Sequence, residues 1–330
     1  MTTKPDNGSS KAADANQSSR KHSSAICVLG MHRSGTSCVA RAMNLLGVYL
    51  GDPEKMEPAG PDNPKGFWEH YEFRLLQQRL LASLNRTWDS VHPLPDGWEK
   101  TELARPFKRE LARLVETEFS GHPLWGWKDP QSCLLIPLWR DVFASSHTQL
   151  GCVFIVRNPM DVAKSLSARN AMPFNAGLGI WFHYNLVALR DTADLPVVFV
   201  SYEKLLSQWE PELRRAAKVL SLSWPDDEAN LRTAMDAFID PKLRHNQSAN
   251  DRLSTLPAPV RELYQALSAA TTDAVQPGTL QVTAKRLFDE FQAYAALFEP
   301  IPKTDRASWP KRTWRRWQRS VRKRLPLKPA

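Results

Sequence analysis

Within residues 25–37 an apolar run, AICVLG, breaks at Gly30 into Met-His-Arg-Ser-Gly-Thr-Ser, and a helical pattern continues to Leu46. These residue types suit a phosphate-binding turn. Gly30 and Gly35 let the backbone curl and approach a ligand, while Ser34, Thr36 and Ser37 bring N–H and hydroxyl donors to a helix N-terminus, where anions are favoured. The spacing Gly30-x4-Gly35 is that of a P-loop, but Thr36 stands where a nucleotide triphosphatase has Lys. The cation of this turn is Arg33, inside the loop. A second junction of the same kind follows residues 151–156 (GCVFIV), an apolar run expected of a buried parallel strand. It ends in Arg157-Asn158-Pro159 before a helical pattern over 160–169. Asn158 suits an N-cap and Pro159 the first helical position. Arg157 then stands at a strand's carboxyl end, and Ser165, eight residues on, lies on the following helix. Taken singly, each segment also fits an ordinary strand-to-helix turn with chance glycines or a solvent-paired Arg.

Together and in this order, the two segments resemble the cofactor loops of the sulfotransferases, which use PAPS (3'-phosphoadenosine 5'-phosphosulfate) and need no magnesium. Residues 30–37 resemble the 5'-phosphosulfate loop. Arg157 and Ser165 resemble the 3'-phosphate motif, the Arg as a bidentate cation and the Ser as a neutral donor. Residues 64–69 (PKGFWE) resemble a segment of bacterial, carbohydrate-type sulfotransferases that carries a Glu close to the transferred group. Trp127-Lys128-Asp129-Pro130 resembles the family's Lys-x-Pro element at another strand end, and 197–205 (VVFVSYEKL) its later strand ending in Tyr-Glu-x-Leu. The resemblance implies an α/β fold with a P-loop-like parallel sheet flanked by helices on both faces. It also implies transfer of a sulfuryl group from PAPS, without a metal, to a hydroxyl or amine of a carbohydrate, glycolipid or small metabolite.

Residue by residue, the resemblance assigns Arg33 to the bridging and leaving oxygens, and Ser34, Gly35, Thr36 and Ser37 to the 5'-phosphate. It assigns Arg157 and Ser165 to the 3'-phosphate, and Lys128 to the sulfonate oxygens. Glu69 is the expected general base, since a carboxylate desolvated beside Phe67 and Trp68 gains proton affinity. His70 is its neighbouring rival, and Glu69 also suits the first turn of a helix running to Leu84. Lys128 alternatively pairs with Asp129 or another nearby carboxylate. His32 is expected to pack or hydrogen-bond locally. Residues 240–245 (DPKLRH) loosely match a late basic loop that closes over the cofactor.

Two other classes compete. A nucleotide kinase or other P-loop NTPase requires the missing Lys and a magnesium-binding acid. A non-catalytic membrane- or polyanion-binding protein accounts for a basic C-terminal segment but not for paired phosphate motifs.

At 330 residues, 42% of them hydrophobic, the chain can bury one large α/β core. No apolar run approaches the roughly 18 residues of a membrane span. Residues 1–24 are polar, lack a signal peptide's apolar segment, and read as a disordered arm. Cys27, Cys38, Cys133 and Cys152 show no metal-ligand spacing and read as buried thiols of a reducing compartment. Residues 303–330 hold eleven Lys or Arg against Asp305, a charge of +10 out of the chain's +9, so the remainder is close to neutral. There Trp309, Trp317 and Val321 fall near one helical face, with Trp314 flanking it, as in a helix lying on an anionic membrane surface. The alternative is a solvated tail whose tryptophans pack on the body. Nucleic acid is not indicated, because no nucleic-acid-binding fold accompanies the tail. The expected organisation is an arm (1–24), a catalytic domain (25–302) and a basic amphipathic tail (303–330). The expected location is the cytoplasm, with the tail able to hold the chain at the membrane's inner face.

These groups need a scaffold that points them at one place. Strands are expected at 25–29, 124–128, 151–156 and 197–200, separated by helical patterns and hence joined by βαβ crossovers. Helices are expected at 69–84, 98–120, 132–143, 160–169, 176–192, 210–220, 226–238 and 279–298. In the last, Leu280, Ala284, Leu287, Phe291 and Ala295 make a core-facing stripe. Residues 51–65, 92–97 and 254–259 read as surface loops, the first long enough to be a substrate lid. Ligands of an open α/β sheet gather beyond the strands' carboxyl ends, where Arg33, Lys128 and Arg157 are all expected.

Overall fold

The computed structural model describes residues 23–61, 63–144, 146, 148–239, 248, 250–272 and 278–295. The expected disordered arm, except for its last two residues, the basic tail and the 240–245 loop lie outside these residues. Strands β1 (Ser23–Leu29), β2 (Leu124–Lys128), β3 (Thr148–Val156) and β4 (Val197–Ser201) form one parallel sheet in the order β2-β1-β3-β4. The register pairs Val28 with Lys128, Leu29 with Phe154 and Val156 with Ser201, so the chain leaves all four strands on the same edge.

Eleven α-helices occur among the described residues. They are α1 (Thr36–Leu45), α2 (Tyr71–Ser83), α3 (Arg105–Phe119), α4 (Ser132–Phe143), α5 (Pro159–Asn170), α6 (Phe174–Asp191), α7 (Tyr202–Ser207), α8 (Trp209–Val219), α9 (Glu228–Phe238), α10 (Ala258–Ala270) and α11 (Thr279–Ala295). Alternation along the strands feeds two cores. Ala25, Cys27 and Leu29 of β1, with Cys152 and Phe154 of β3, pack with α2 to α6, α10 and α11. Ile26 and Val28, with Val153 and Ile155, face α1, α8 and α9 on the other side. Both faces of the sheet are therefore covered, which is why its strands read as unbroken apolar runs. Each fully buried aliphatic side chain stabilises the fold by about 1.5–3 kcal/mol.

Some boundaries differ from the expectation, for local reasons. Glu69 and His70 are not helical: the Glu57 N–H donates to the Glu69 carbonyl over 2.8 Å and Met56 bridges His70, so α2 begins at Tyr71. The span 98–120 divides into a 3-10 turn, Trp98–Lys100, and α3, because Thr101 is extended and Pro106 fits the first turn of the new helix. The 51–65 segment is pinned. Asp52 caps a 3-10 turn by accepting from the Glu54 N–H at 3.0 Å, and Lys65 Nζ donates to the Phe238 carbonyl at 2.5 Å. Two helices, α7 and α10, form where the sequence pattern indicated none.

Candidate active site

The turn after β1 is closed by the Ser34 N–H donating to the Met31 carbonyl over 3.0 Å, and it places Arg33 in the left-handed region at φ 69°. Such a conformation costs a non-glycine residue on the order of 1–3 kcal/mol and needs external support. Arg157 supplies it, donating from Nη1 to the Arg33 carbonyl at 2.7 Å. Gly35 then enters α1 at φ 93° without a side-chain cap, and no acidic residue sits in the first turn. The first N–H groups of α1 thus face outward with no competing charge, the arrangement that attracts an anion.

At β3 the expectation holds in detail. Asn158 caps α5 by accepting from the Met160 N–H at 2.9 Å, Pro159 takes the first helical position, and Arg157 projects from the strand end with its guanidinium 4.2 Å from the centre of the Tyr202 ring. Ser165 accepts a hydrogen bond from Arg33 Nε at 2.9 Å. The two turns expected to bind phosphate, more than a hundred residues apart in sequence, therefore adjoin.

A cleft of about 180 Å3 opens here, lined by Arg33, Gly35, Thr36, Ser37, Lys128, Arg157 and Glu69 among others. Most of the expected site residues meet in it. Ser34 and Ser165 do not line it. Ser34 is buried in the turn, and Ser165 acts through Arg33. Ser37 Oγ is held by the neighbouring loop, donating to the Phe67 carbonyl at 3.1 Å and accepting from Asn63 Nδ2 at 3.0 Å.

On the far wall, Lys128 at the end of β2 donates from Nζ to Glu69 Oε1 at 2.5 Å, and both residues are buried. Glu69 therefore faces an ammonium, and Asp129 is not the partner of Lys128. Asp129 points into a separate buried network. It accepts from Gln77 Nε2 at 2.7 Å and from the Gln131 N–H at 2.9 Å, and Gln77 Oε1 in turn accepts from Ser132 Oγ and Trp139 Nε1. Burial, followed by the charge of Glu69, pushes the Asp129 carboxyl up to about 7. His70 stands apart from the cleft: its Nε2 lies 2.7 Å from Glu118 Oε2 and its ring packs on Phe73 and Phe119. Burial holds it below the usual histidine range.

The sequence reading gave no role to Tyr202, the platform beneath Arg157, although it lies in the quoted Tyr-Glu-x-Leu run. Nor did it find Arg169, which also lines the cleft. His32 packs locally as expected, edge-on to Trp88 and Tyr184, and lines the cleft as well. All four cysteines are free thiols, and burial raises Cys38 and Cys133 to about 12. No helix among the described residues is long and apolar enough to cross a membrane.

No family model and no curated protein matches the chain. Solved structures similar to it include the sulfotransferase domain of the Synechococcus PCC 7002 olefin synthase, at 16% identity and a TM-score of 0.38, covering 86% of this chain and 97% of that one. Another is the sulfotransferase domain from the curacin biosynthetic pathway, at 14% identity and a TM-score of 0.36, covering 84% and 99%. Neither description mentions a carbohydrate.

Proposed function

We propose that the protein is a PAPS-dependent sulfotransferase that modifies a hydroxyl, or an amine, of a carbohydrate, glycolipid or small-molecule acceptor. The observation that carries this reading is the convergence of Arg33, Arg157, Lys128 and the open N-terminus of α1 on a single cleft that also holds one carboxylate, Glu69. The guanidinium groups of Arg33 and Arg157, both lining this cleft, suit a ligand with two separated phosphates. Thr36 in place of the P-loop Lys disfavours the nucleotide-kinase reading.

PAPS supplies an activated sulfuryl group joined through oxygen to the 5'-phosphate. The acceptor oxygen forms the new bond to sulfur as the bond from sulfur to the phosphate oxygen breaks, and adenosine 3',5'-bisphosphate leaves. Glu69 takes the acceptor's proton. Lys128 and Arg33 stabilise negative charge on the sulfonate and leaving oxygens, an electrostatic role of the kind that dominates phosphoryl transfer. Arg157, and Ser165 through Arg33, hold the 3'-phosphate side.

Isothermal titration with adenosine 3',5'-bisphosphate in the presence of EDTA tests the reading. Binding that needs no metal, and that exceeds binding of adenosine 5'-phosphate, is expected; magnesium-dependent ATP binding with no bisphosphate binding would replace it with the kinase reading.

A further inference from the structure

A second chamber of about 280 Å3 lies behind the cleft and shares with it His32, Phe67, Glu69 and Arg169. Its other walls include Arg74, Gln78 and Trp88. Two of these lining residues each carry a buried polar atom without a hydrogen-bond partner among the described residues, His32 Nε2 and Arg74 Nη2. Arg74 Nε is satisfied by Glu57 Oε2 at 3.1 Å, whereas its Nη2, as close to the same oxygen, makes no aligned hydrogen bond. An unsatisfied buried polar group costs about 1–3 kcal/mol, which favours an outside partner for His32 Nε2, while Arg74 Nη2, ion-paired with Glu57 Oε2 at 3.1 Å, can add one aligned hydrogen bond.

We propose that this chamber is the acceptor site and that it takes a neutral, hydroxyl-bearing ring, oriented by His32 Nε2 and Arg74 Nη2 and stacked on Trp88. The proposal rests on the sulfuryl-transfer reading and names its substrate class.

The formal charges around the chamber balance. Arg74 pairs with Glu57 and Glu69 with Lys128, and Arg169 and Asp129 add one charge of each sign to the lining. A neutral polyol leaves that balance undisturbed, whereas a charged acceptor does not. Burial, with Arg169, Lys128 and Arg33 nearby, lowers the His32 pKa well below its usual value, so the imidazole is neutral. A neutral imidazole nitrogen is either donor or acceptor, and a hydroxyl, which can be both, matches it in either tautomer. Arg74 Nη2 can only donate, and a second ring oxygen can accept from it.

Trp88 is half-buried and held in place. Tyr184 Oη donates to its carbonyl at 2.6 Å, and His183 Nδ1 lies 3.0 Å from the Ser90 carbonyl. The chamber falls just below the range typical of drug-sized ligand sites, so it fits one ring, free or terminal on a longer acceptor. Glu69 lies on the wall common to both spaces, between donor and acceptor.

The test is transfer from 35S-labelled PAPS to methyl glucoside, methyl glucuronide, glucosamine and p-nitrophenol, alongside calorimetric binding of adenosine 3',5'-bisphosphate. Methyl glucoside should be preferred. His32→Leu and Trp88→Ala should each raise its KM at least tenfold while the bisphosphate Kd stays within threefold, and His32→Gln, which restores a polar atom near Nε2, should recover most of the loss. Where His32→Leu also loses the bisphosphate, Trp88→Ala decides. Preference for another probe, transfer to none, or unchanged KM in Trp88→Ala, each with bisphosphate binding intact, overturns the acceptor assignment. A wild-type chain that binds no bisphosphate overturns the sulfuryl-transfer reading instead.

Discussion

Lys128 Nζ donates to Glu69 Oε1 over 2.5 Å where both side chains are almost sequestered from water. The cation assigned to the sulfonate oxygens and the carboxylate assigned to the acceptor's proton are thus each other's partner. In the proposed transfer their roles are linked: a proton taken up by Glu69 would weaken its hold on Lys128 and make the ammonium available to the transferred group. Glu69→Gln keeps an oxygen for Lys128 and removes the basicity. It should lower kcat by about 100-fold or more with bisphosphate affinity within twofold. Glu69→Leu should in addition destabilise the fold by about 3–5 kcal/mol, because it strands a buried ammonium. Steady-state kinetics and urea titration separate the two effects, and near-normal turnover in Glu69→Gln would reduce the pair to a structural one.

Arg157 lies over the Tyr202 ring and donates to the Arg33 carbonyl, and in the proposed function it also meets the 3'-phosphate. Arg157→Ala should therefore weaken adenosine 3',5'-bisphosphate by about 1.5–3 kcal/mol, the worth of a charge-assisted hydrogen bond. Adenosine 5'-phosphate should lose much less. Equal losses for the two nucleotides would mean that Arg157 serves only to prop the Arg33 turn.

The strands and both strand-to-helix turns were legible because each is written in contiguous residues: an apolar run, then Gly30 or Asn158-Pro159. The helix α4, Ser132–Phe143, was readable to the residue for the same reason. Pairings between distant segments were not. Adjacency suggested Asp129 for Lys128, but consecutive residues at a strand end point to opposite faces. Lys128 therefore meets Glu69, 59 positions away, while Asp129 turns toward Gln77. Helix α7 had a signal that went unused, Ser201 at the end of β4, whose hydroxyl accepts from the Lys204 N–H at 3.3 Å. Helix α10 was hidden by Pro257 and Pro259, which read as loop residues but lie at the start of the helix, where proline is tolerated.

Asp129 makes stability depend on pH. Its carboxyl stands at about 7 in the fold against 3.8 in a free chain, chiefly through burial and then through Glu69. The folded form therefore holds a proton that the unfolded form has released, and stability falls as pH rises from about 4 to about 7 and levels off above. The loss from this group is on the order of a few kcal/mol. Urea midpoints at pH 4.5 and 7.5 should differ more in the wild type than in Asp129→Asn, and parallel shifts in the two proteins would remove Asp129 as the cause.

For the segment 303–330, charge and tryptophan content support a proposal of salt-sensitive attachment to anionic membranes, since each Lys or Arg near such a surface contributes about 1 kcal/mol. The full chain should sediment with anionic vesicles at low salt and less so at high salt. A chain ending at residue 302 should stay in the supernatant and still bind the bisphosphate. A full chain that ignores the vesicles would leave the tail without this role.

Gly35 separates backbone strain from a site-specific effect. At φ 93° it is as strained for an L residue as Gly47 at φ 92°, but a Cβ on Gly35 would lie 2.3 Å from Tyr202 Cδ2, whereas one on Gly47 would meet nothing within 4 Å. Both alanine variants should lose about 1–2 kcal/mol of stability from the left-handed backbone. Gly35→Ala must also displace the Tyr202 ring, and with it the guanidinium of Arg157 that lies over that ring. Calorimetry should find bisphosphate binding at least tenfold weaker in Gly35→Ala and unchanged in Gly47→Ala. Equal affinities in the two variants would show that the packing of Gly35 on Tyr202 does not shape the anion site.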